Sequence, residues 1–168
     1  MTTRIAAPTP TGSGLPAVAA LLPHRGGMVL LDRLLEHDEV STVARVVVAS
    51  QRWLRRADGS VPAWIAVEYM AQCAAAHEAL QIGGEDRTAR GVLVAVRDLR
   101  FAAQRIDADA VLRVHVRRVG GRPGLGVVSH ACSIRADDEA EGSPRLAQGR
   151  ITIALDRSQA GFAPGDLA

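Results

Sequence analysis

Apolar residues recur along this chain in short blocks, and the spacing inside each block predicts its element. Leu15 to Leu22 (LPAVAALL) reads as a short helix stopped by Pro23, because the residue before a proline is pushed out of helical space. Met28 to Leu35 and Thr42 to Val48 are β-rich runs joined by the polar turn Glu36 to Ser41, the pattern of a hairpin. After the polar loop Ser50 to Ser60, Pro62 opens the longest helix, near the first turn where its missing N–H costs little. That helix is expected to reach Ile82 and to stop at Gly83-Gly84. Four strands follow: Gly91 to Val96, Ala110 to Arg117, Gly126 to Ile134 and Ala147 to Ala154. In the second, Val111, Arg113 and His115 alternate with Leu112, Val114 and Val116, which predicts one polar and one apolar face. Asp137 to Glu141 reads as an acidic, solvated turn.

Mostly antiparallel strands around one helix make an α+β protein rather than a doubly wound sheet. From Pro62 to Ala76 the helix is apolar around nearly its whole circumference, so it must be enclosed. One curved sheet wrapped around one buried helix is the hotdog arrangement. Residues 1–13 are expected to form a disordered arm, 14–155 the hotdog domain and 156–168 a flexible tail.

Composition narrows the picture without naming a function. At 168 residues, with five aromatic side chains, the core is built of small and branched aliphatics. A net charge of +2 is too small to argue for nucleic acid. All twenty basic residues are arginine, which codon bias in a GC-rich genome explains most simply. Cys73 and Cys132 form neither a CxxC pair nor a disulfide framework, and reduced thiols are expected. With no signal-peptide run and no apolar stretch of roughly 18 residues, a cytoplasmic protein without a membrane span is expected.

Glu68 is the one charged residue of the long helix before Glu78. Its neighbours are apolar, and burial without a partner favours the neutral carboxyl that a general acid requires. Gln72, four residues on, shares its helical face and can hydrogen-bond to it. An equal reading is structural, with Glu68 paired to an arginine from a strand at a dimer contact. The helix start offers the amides of Ala63 and Trp64 to developing negative charge, less than two turns from Glu68.

Leu22-Pro23-His24-Arg25, then Met28-Val-Leu-Leu-Asp32-Arg33, then the run from Pro62 through Glu68-Tyr69-Met70-Ala71-Gln72 resemble the FabZ-type 3-hydroxyacyl-ACP dehydratases. The likeness is strongest to the ApeP-like branch, associated with aryl polyene biosynthesis, and its specific motifs cover about Leu15 to Ile82. It implies a hotdog homodimer in which a histidine from one subunit and a glutamate from the other flank the C2–C3 bond. Glu68 matches that glutamate, and Ala63 matches the helix-start glycine whose N–H polarises the thioester carbonyl. The chain departs from the family where a GHFPG-like loop should supply the histidine, because Ser50 to Val61 (SQRWLRRADGSV) has none. His24 is the candidate replacement, with Gly26-Gly27 allowing close backbone approach. A structural role for that histidine is the alternative.

The expected reaction is a β-elimination: His24 takes the C2 proton, the Ala63 and Trp64 amides hold the enolate oxygen, and Glu68 protonates the departing hydroxyl. It needs no metal or organic cofactor beyond the 4'-phosphopantetheine that carries the substrate. Arg52, Arg55 and Arg56, or a strip of Arg97, Arg100, Arg105, Arg113, Arg117, Arg118 and Arg122, would steer an acidic carrier protein. A solvated strand face is an equal explanation of each arginine singly. His37 is placed in a turn, His77 as a cation near the helix end, and His115 and His130 on strands. Two other functions compete: an acyl thioesterase, and a silent partner subunit in a mixed dimer with another hotdog dehydratase.

Overall fold

The computed structural model describes residues 14–82, 91–121, 126–137 and 144–155, so the arm at 1–13, the tail at 156–168 and the Gly83-Gly84 stop lie outside the described residues. A short helix, α1 (Val18–Leu21), leads through a 3₁₀ turn at Gly26–Met28 into β1 (Arg33–His37) and β2 (Ser41–Val47). After β3 (Val61–Pro62) the chain makes a 3₁₀ turn at Ala63–Ile65 and continues as α2 (Ala66–Ile82). Then come β4 (Gly91–Phe101), β5 (Arg105–Ile106), β6 (Val111–Gly120), β7 (Val127–Ala136) and β8 (Ala147–Leu155).

Six strands form one antiparallel sheet in the order β1-β2-β6-β7-β8-β4, while β3 and β5 pair separately. Helix α2 packs on one face of the sheet, against β2, β6, β7 and β8. That face is supplied by alternate residues: Ala44 and Val46, Leu112, Val114 and Val116, Val128 and Ile134, Ile151 and Ile153, all buried. Burial of these aliphatics against the helix is the main stabilising term. The architecture is the hotdog arrangement that the patterning predicts.

Boundaries moved where side chains took over from ladder bonds. The strand expected from Met28 starts only at Arg33. Before it, the Leu30 N–H goes to the Gln72 side chain and the Leu30 carbonyl to the Gln51 side chain, so glutamines replace a neighbouring strand. The strand expected to end at Val96 runs on to Phe101 because a bulge absorbs Asp98, whose φ is +53°. Gly149 lies opposite, where a Cβ would sit 3.3 Å from the Arg97 carbonyl and the Leu99 Cα. Asp137, expected in a solvated turn, is instead ion-paired to Arg45 and Arg113.

The sealed carboxylate of α2 is Glu78, with no exposed surface. Arg118 donates two hydrogen bonds to its Oε1, at 3.0 and 2.8 Å, and His130 Nε2 lies 3.0 Å from the same atom. Hydrogen bonding to the guanidinium and the imidazole, against the opposing pull of burial, holds the Glu78 carboxyl below its ordinary range. His77, expected as a cation, is also sealed, and burial pushes its pKa down to about 4. Its Nδ1 is 2.9 Å from Thr42 Oγ1, which in turn lies 2.8 Å from His37 Nδ1 on β1. His37 therefore belongs to a strand and to this cluster, not to a turn.

Unfolding would return His77 to an ordinary imidazole near 6.5, so between pH 6.5 and 4 the unfolded chain binds the extra proton. Stability from this group is complete above that window and is lost as pH falls through it, by on the order of 3 kcal/mol. Urea midpoints measured from pH 7 to 4 should fall for the native chain and fall less for His77→Gln.

Candidate active site at the start of the central helix

Pro23 ends α1 and points the next residue, His24, across the start of α2. Arg25 folds back to hold this corner, donating to the carbonyls of Leu22 at 2.6 Å and His24 at 2.7 Å. Gly26 takes a φ of +56°, which only glycine adopts without strain, and Trp53 Nε1 donates to the Gly27 carbonyl at 3.0 Å. His24 Nε2 thereby comes within 3.3 Å of Glu68 Oε1 of the same chain. The pair predicted as catalytic is brought together without a second subunit.

Glu68 is not sealed, contrary to the expectation drawn from its neighbours: its side chain is 36% exposed and that of His24 is 30% exposed. It lies on the stripe Trp64, Val67, Glu68, Ala71 and Ala75, the part of the helix that the chain's own sheet leaves uncovered. No arginine holds it among the described residues. Gln72 donates to Glu68 Oε1 at 2.8 Å and to the Met28 carbonyl at 2.8 Å, while its Oε1 accepts the Leu30 N–H at 2.9 Å. Gln72 is buried and both its donors are used, so it positions Glu68 and the Met28–Leu30 segment and has nothing left for a substrate.

The helix-start amides divide. The Ala63 N–H is donated to the Gln104 carbonyl at 2.9 Å, in the turn leading from β4 into β5, the strand that pairs with β3, and is not free for a thioester. The Trp64 N–H has no acceptor among the described residues, one helical turn before Glu68. The Trp64 ring itself is 61% exposed. Arg52 and Arg56 are exposed in the loop before β3, and Arg55 donates to the Ala49 carbonyl. A cleft of about 740 Å³ opens beside Ala63 and Ala66 over Leu112, Ile134 and Ala147, and neither His24 nor Glu68 lines it.

Two residues that sequence reasoning passed over complete the support. Tyr69, sealed in the core, donates its hydroxyl to Gln51 Oε1 at 2.6 Å, and Gln51 Nε2 donates to the Leu30 carbonyl. Burial pushes the Tyr69 phenol up, so it stays a donor. No local pattern marks Gln51, which is a lone polar residue after a strand. Cys73 and Cys132 are free, buried thiols, and burial pushes Cys132 up to about 12, so neither is a nucleophile. The potential metal ligands His77, Glu78 and His130 converge within 4.8 Å, but Arg118 already occupies their carboxylate, and a dication beside a guanidinium in a sealed site is strongly opposed.

The fold defines a hotdog protein. Residues 16–161 match the ApeP-like family, described as ApeP dehydratase, and the chain belongs to that family. Among solved structures, the dehydratase heterocomplex ApeI:P from Xenorhabdus doucetiae superposes with a TM-score of 0.75 at 20% identity, covering 86% of this chain and 94% of that one. Zebra fish thioesterase superfamily member 2 superposes at 0.59 with 13% identity, covering 83% of this chain and 93% of its own. A conserved protein of Pseudomonas aeruginosa gives 0.58 at 18% identity, covering 83% and 99%. At such identities the structural likenesses speak for the fold alone. A comparison with curated proteins gave no match. No helix among the described residues is long and apolar enough to cross a membrane.

Replacing Gln72 by the near-isosteric Met would strand the Leu30 N–H and the Met28 carbonyl, at a cost of about 2–4 kcal/mol. Denaturant unfolding of Gln72→Met should show that loss, and histidine NMR should show His24 released from its single environment.

Proposed function

We propose that this protein removes water from a 3-hydroxyacyl thioester carried on the 4'-phosphopantetheine of an acyl carrier protein, giving the trans-2-enoyl thioester. The observation that carries the reading is the contact of His24 Nε2 with Glu68 Oε1 at 3.3 Å, one turn from the unpaired Trp64 amide. A base, an acid and an oxyanion donor converge there, the three parts that a β-elimination next to a carbonyl needs.

In this scheme the bound thioester replaces the direct His24–Glu68 contact with its own C2–C3 unit. Neutral His24 takes the C2 proton, and the Trp64 N–H stabilises the enolate oxygen in the place first expected of Ala63. Glu68 in its protonated form delivers its proton to the C3 hydroxyl, which leaves as water. The His24 proton then restores Glu68, so no redox or metal step is required. Gln72 keeps the Glu68 carboxyl in place throughout.

The working unit in this reading is at least a dimer. The Trp64–Ala75 stripe of α2 is uncovered, and edge strand β4 leaves Val92, Val94 and Phe101 exposed at 69%, 60% and 38%. A second hotdog subunit, either another copy or a different chain as in the ApeI:P heterocomplex, would cover both by extending the sheet at β4.

Purified protein given a 3-hydroxyacyl carrier should yield a product lighter by one water. Release of free carrier would mark a thioesterase instead, and an unchanged substrate would mark a silent partner. His24→Ala and Glu68→Gln should each lower kcat roughly 10²–10⁴-fold. Full activity in His24→Ala would remove the base from the scheme. Val94→Asp, which puts a charge on the exposed edge, should shift light-scattering mass toward the monomer.

A further inference from the structure

Two rows of arginines cross the outer face of the sheet, and their surroundings differ. In the first row Arg45, Arg113 and Arg135 stand in register on β2, β6 and β7. Carboxylates attend it: Asp32 lies 3.0 Å from Arg45, Asp137 joins Arg45 and Arg113 at 3.2 and 2.7 Å, and Glu36 lies 3.5 Å from Arg113. In the second row Arg117, Ala131, Arg150 and Arg97 follow one another across β6, β7, β8 and β4. Arg100 stands two positions along, opposite Gln148. Arg97, Arg100, Arg117 and Arg150 are all exposed, and none has a carboxylate at ion-pair distance among the described residues.

Arg97 and Arg150 are direct cross-strand partners, about 5 Å apart at Cα. Like charges directly opposite destabilise a sheet, and one carboxylate in the row would remove the penalty, as it does in the row beside it. Solvent screens part of this repulsion at exposed positions, and an anion lying on this face would remove the rest.

We propose that Arg97, Arg100, Arg117 and Arg150 form the docking surface for an acidic helix of the carrier protein that delivers the thioester; this rests on the dehydratase reading above. The row runs perpendicular to the strands with a cation at about 4.8 Å multiples, close to the 5.4 Å pitch of an α-helix. An acidic helix laid along it places one carboxylate per turn within reach of a guanidinium fork, whose planar donors suit carboxylates. The row spans roughly 14 Å over three strand gaps, too long for one small anion. A net charge of +2 opposes a nucleic acid as the occupant. The sequence strip anticipated only part of this surface. Arg105, Arg113 and Arg118 are taken by Asp58, by Asp137 with Glu36, and by Glu78, and Arg122 lies outside the described residues. Arg150 was not in that strip at all.

The test is titration of the full chain with an apo acyl carrier protein at low salt, followed by anisotropy, for the native protein and an Arg97→Ala/Arg100→Ala/Arg150→Ala variant. The variant should bind at least tenfold more weakly, lose most of the salt dependence, and melt no lower than the native chain because a repulsion has been removed. Its kcat/KM should fall at least tenfold, through KM, on the carrier-borne substrate and stay unchanged on a short 3-hydroxyacyl pantetheine thioester. Arg105→Ala, on β5 of the separate β3–β5 sheet and paired with Asp58, should bind the carrier like the native chain. Native affinity in the triple variant, equal losses on both substrates, or tighter binding to a 20-base-pair DNA duplex than to the carrier would overturn the proposal. Carrier binding is read without turnover, so a native chain that binds but dehydrates nothing would sink the dehydratase reading and leave the docking surface standing.

Discussion

A single buried amide holds this site together. Gln72 has one acceptor and two donor positions engaged: two of these bonds tie Leu30 and Met28 to α2, and the third holds the Glu68 carboxyl on the helix itself. Breaking any one would leave a polar group unpaired away from water, which costs more than the bond itself contributes. The segment from Met28 to Leu30 is therefore fastened to the helix without a neighbouring strand. Through Leu30 it is also fastened to Gln51 and Tyr69. Because His24 sits four residues upstream of Met28, this fastening sets where its imidazole can reach, and packing thereby fixes the distance from His24 to Glu68.

The two glutamates of α2 show how one helix places carboxylates in two different surroundings. Glu78 is sealed, and the guanidinium of Arg118 and the imidazole of His130 stabilise its charge. It cannot meet a substrate and serves to lock the far end of the helix to β6 and β7. Glu68 has no guanidinium, one amide donor and an imidazole, and it faces the uncovered stripe. Glu68 is open to solvent and Glu78 is not, so the two carboxyls of one helix differ in what can reach them.

Much of the fold was legible because burial imposes periodicity. The alternation of Arg113 and His115 with Leu112, Val114 and Val116 could only fit one face against a core, and β6 is built that way. Glu68 and His24 were legible as a pair only through the family resemblance. Nothing in local patterning says that residues 24 and 68 meet, because their contact depends on Arg25, Gly26 and Gln72 acting together. Which carboxylate is sealed was misread for a related reason. Apolar neighbours in sequence surround Glu68, but its partners in space are set by the sheet, and the sheet stops short of that stripe. Ala63 was misread as a free amide because its acceptor, the Gln104 carbonyl, lies forty-one residues on.

Among the described residues, strand β4 pairs with β8 alone and carries apolar side chains without cover, together with two arginines lacking counter-ions. An isolated domain with such an edge would be prone to aggregate, since exposed edge strands recruit other strands. Bulging at Asp98 and the positive charge of Arg97 and Arg100 restrain unspecific pairing while leaving the edge open to a partner of matching shape and charge. Apolar cover for the helix stripe and anionic cover for the arginine row are thus separate demands. A neighbouring hotdog subunit would satisfy the first without satisfying the second, so under the readings proposed above the edge and the face meet two different partners.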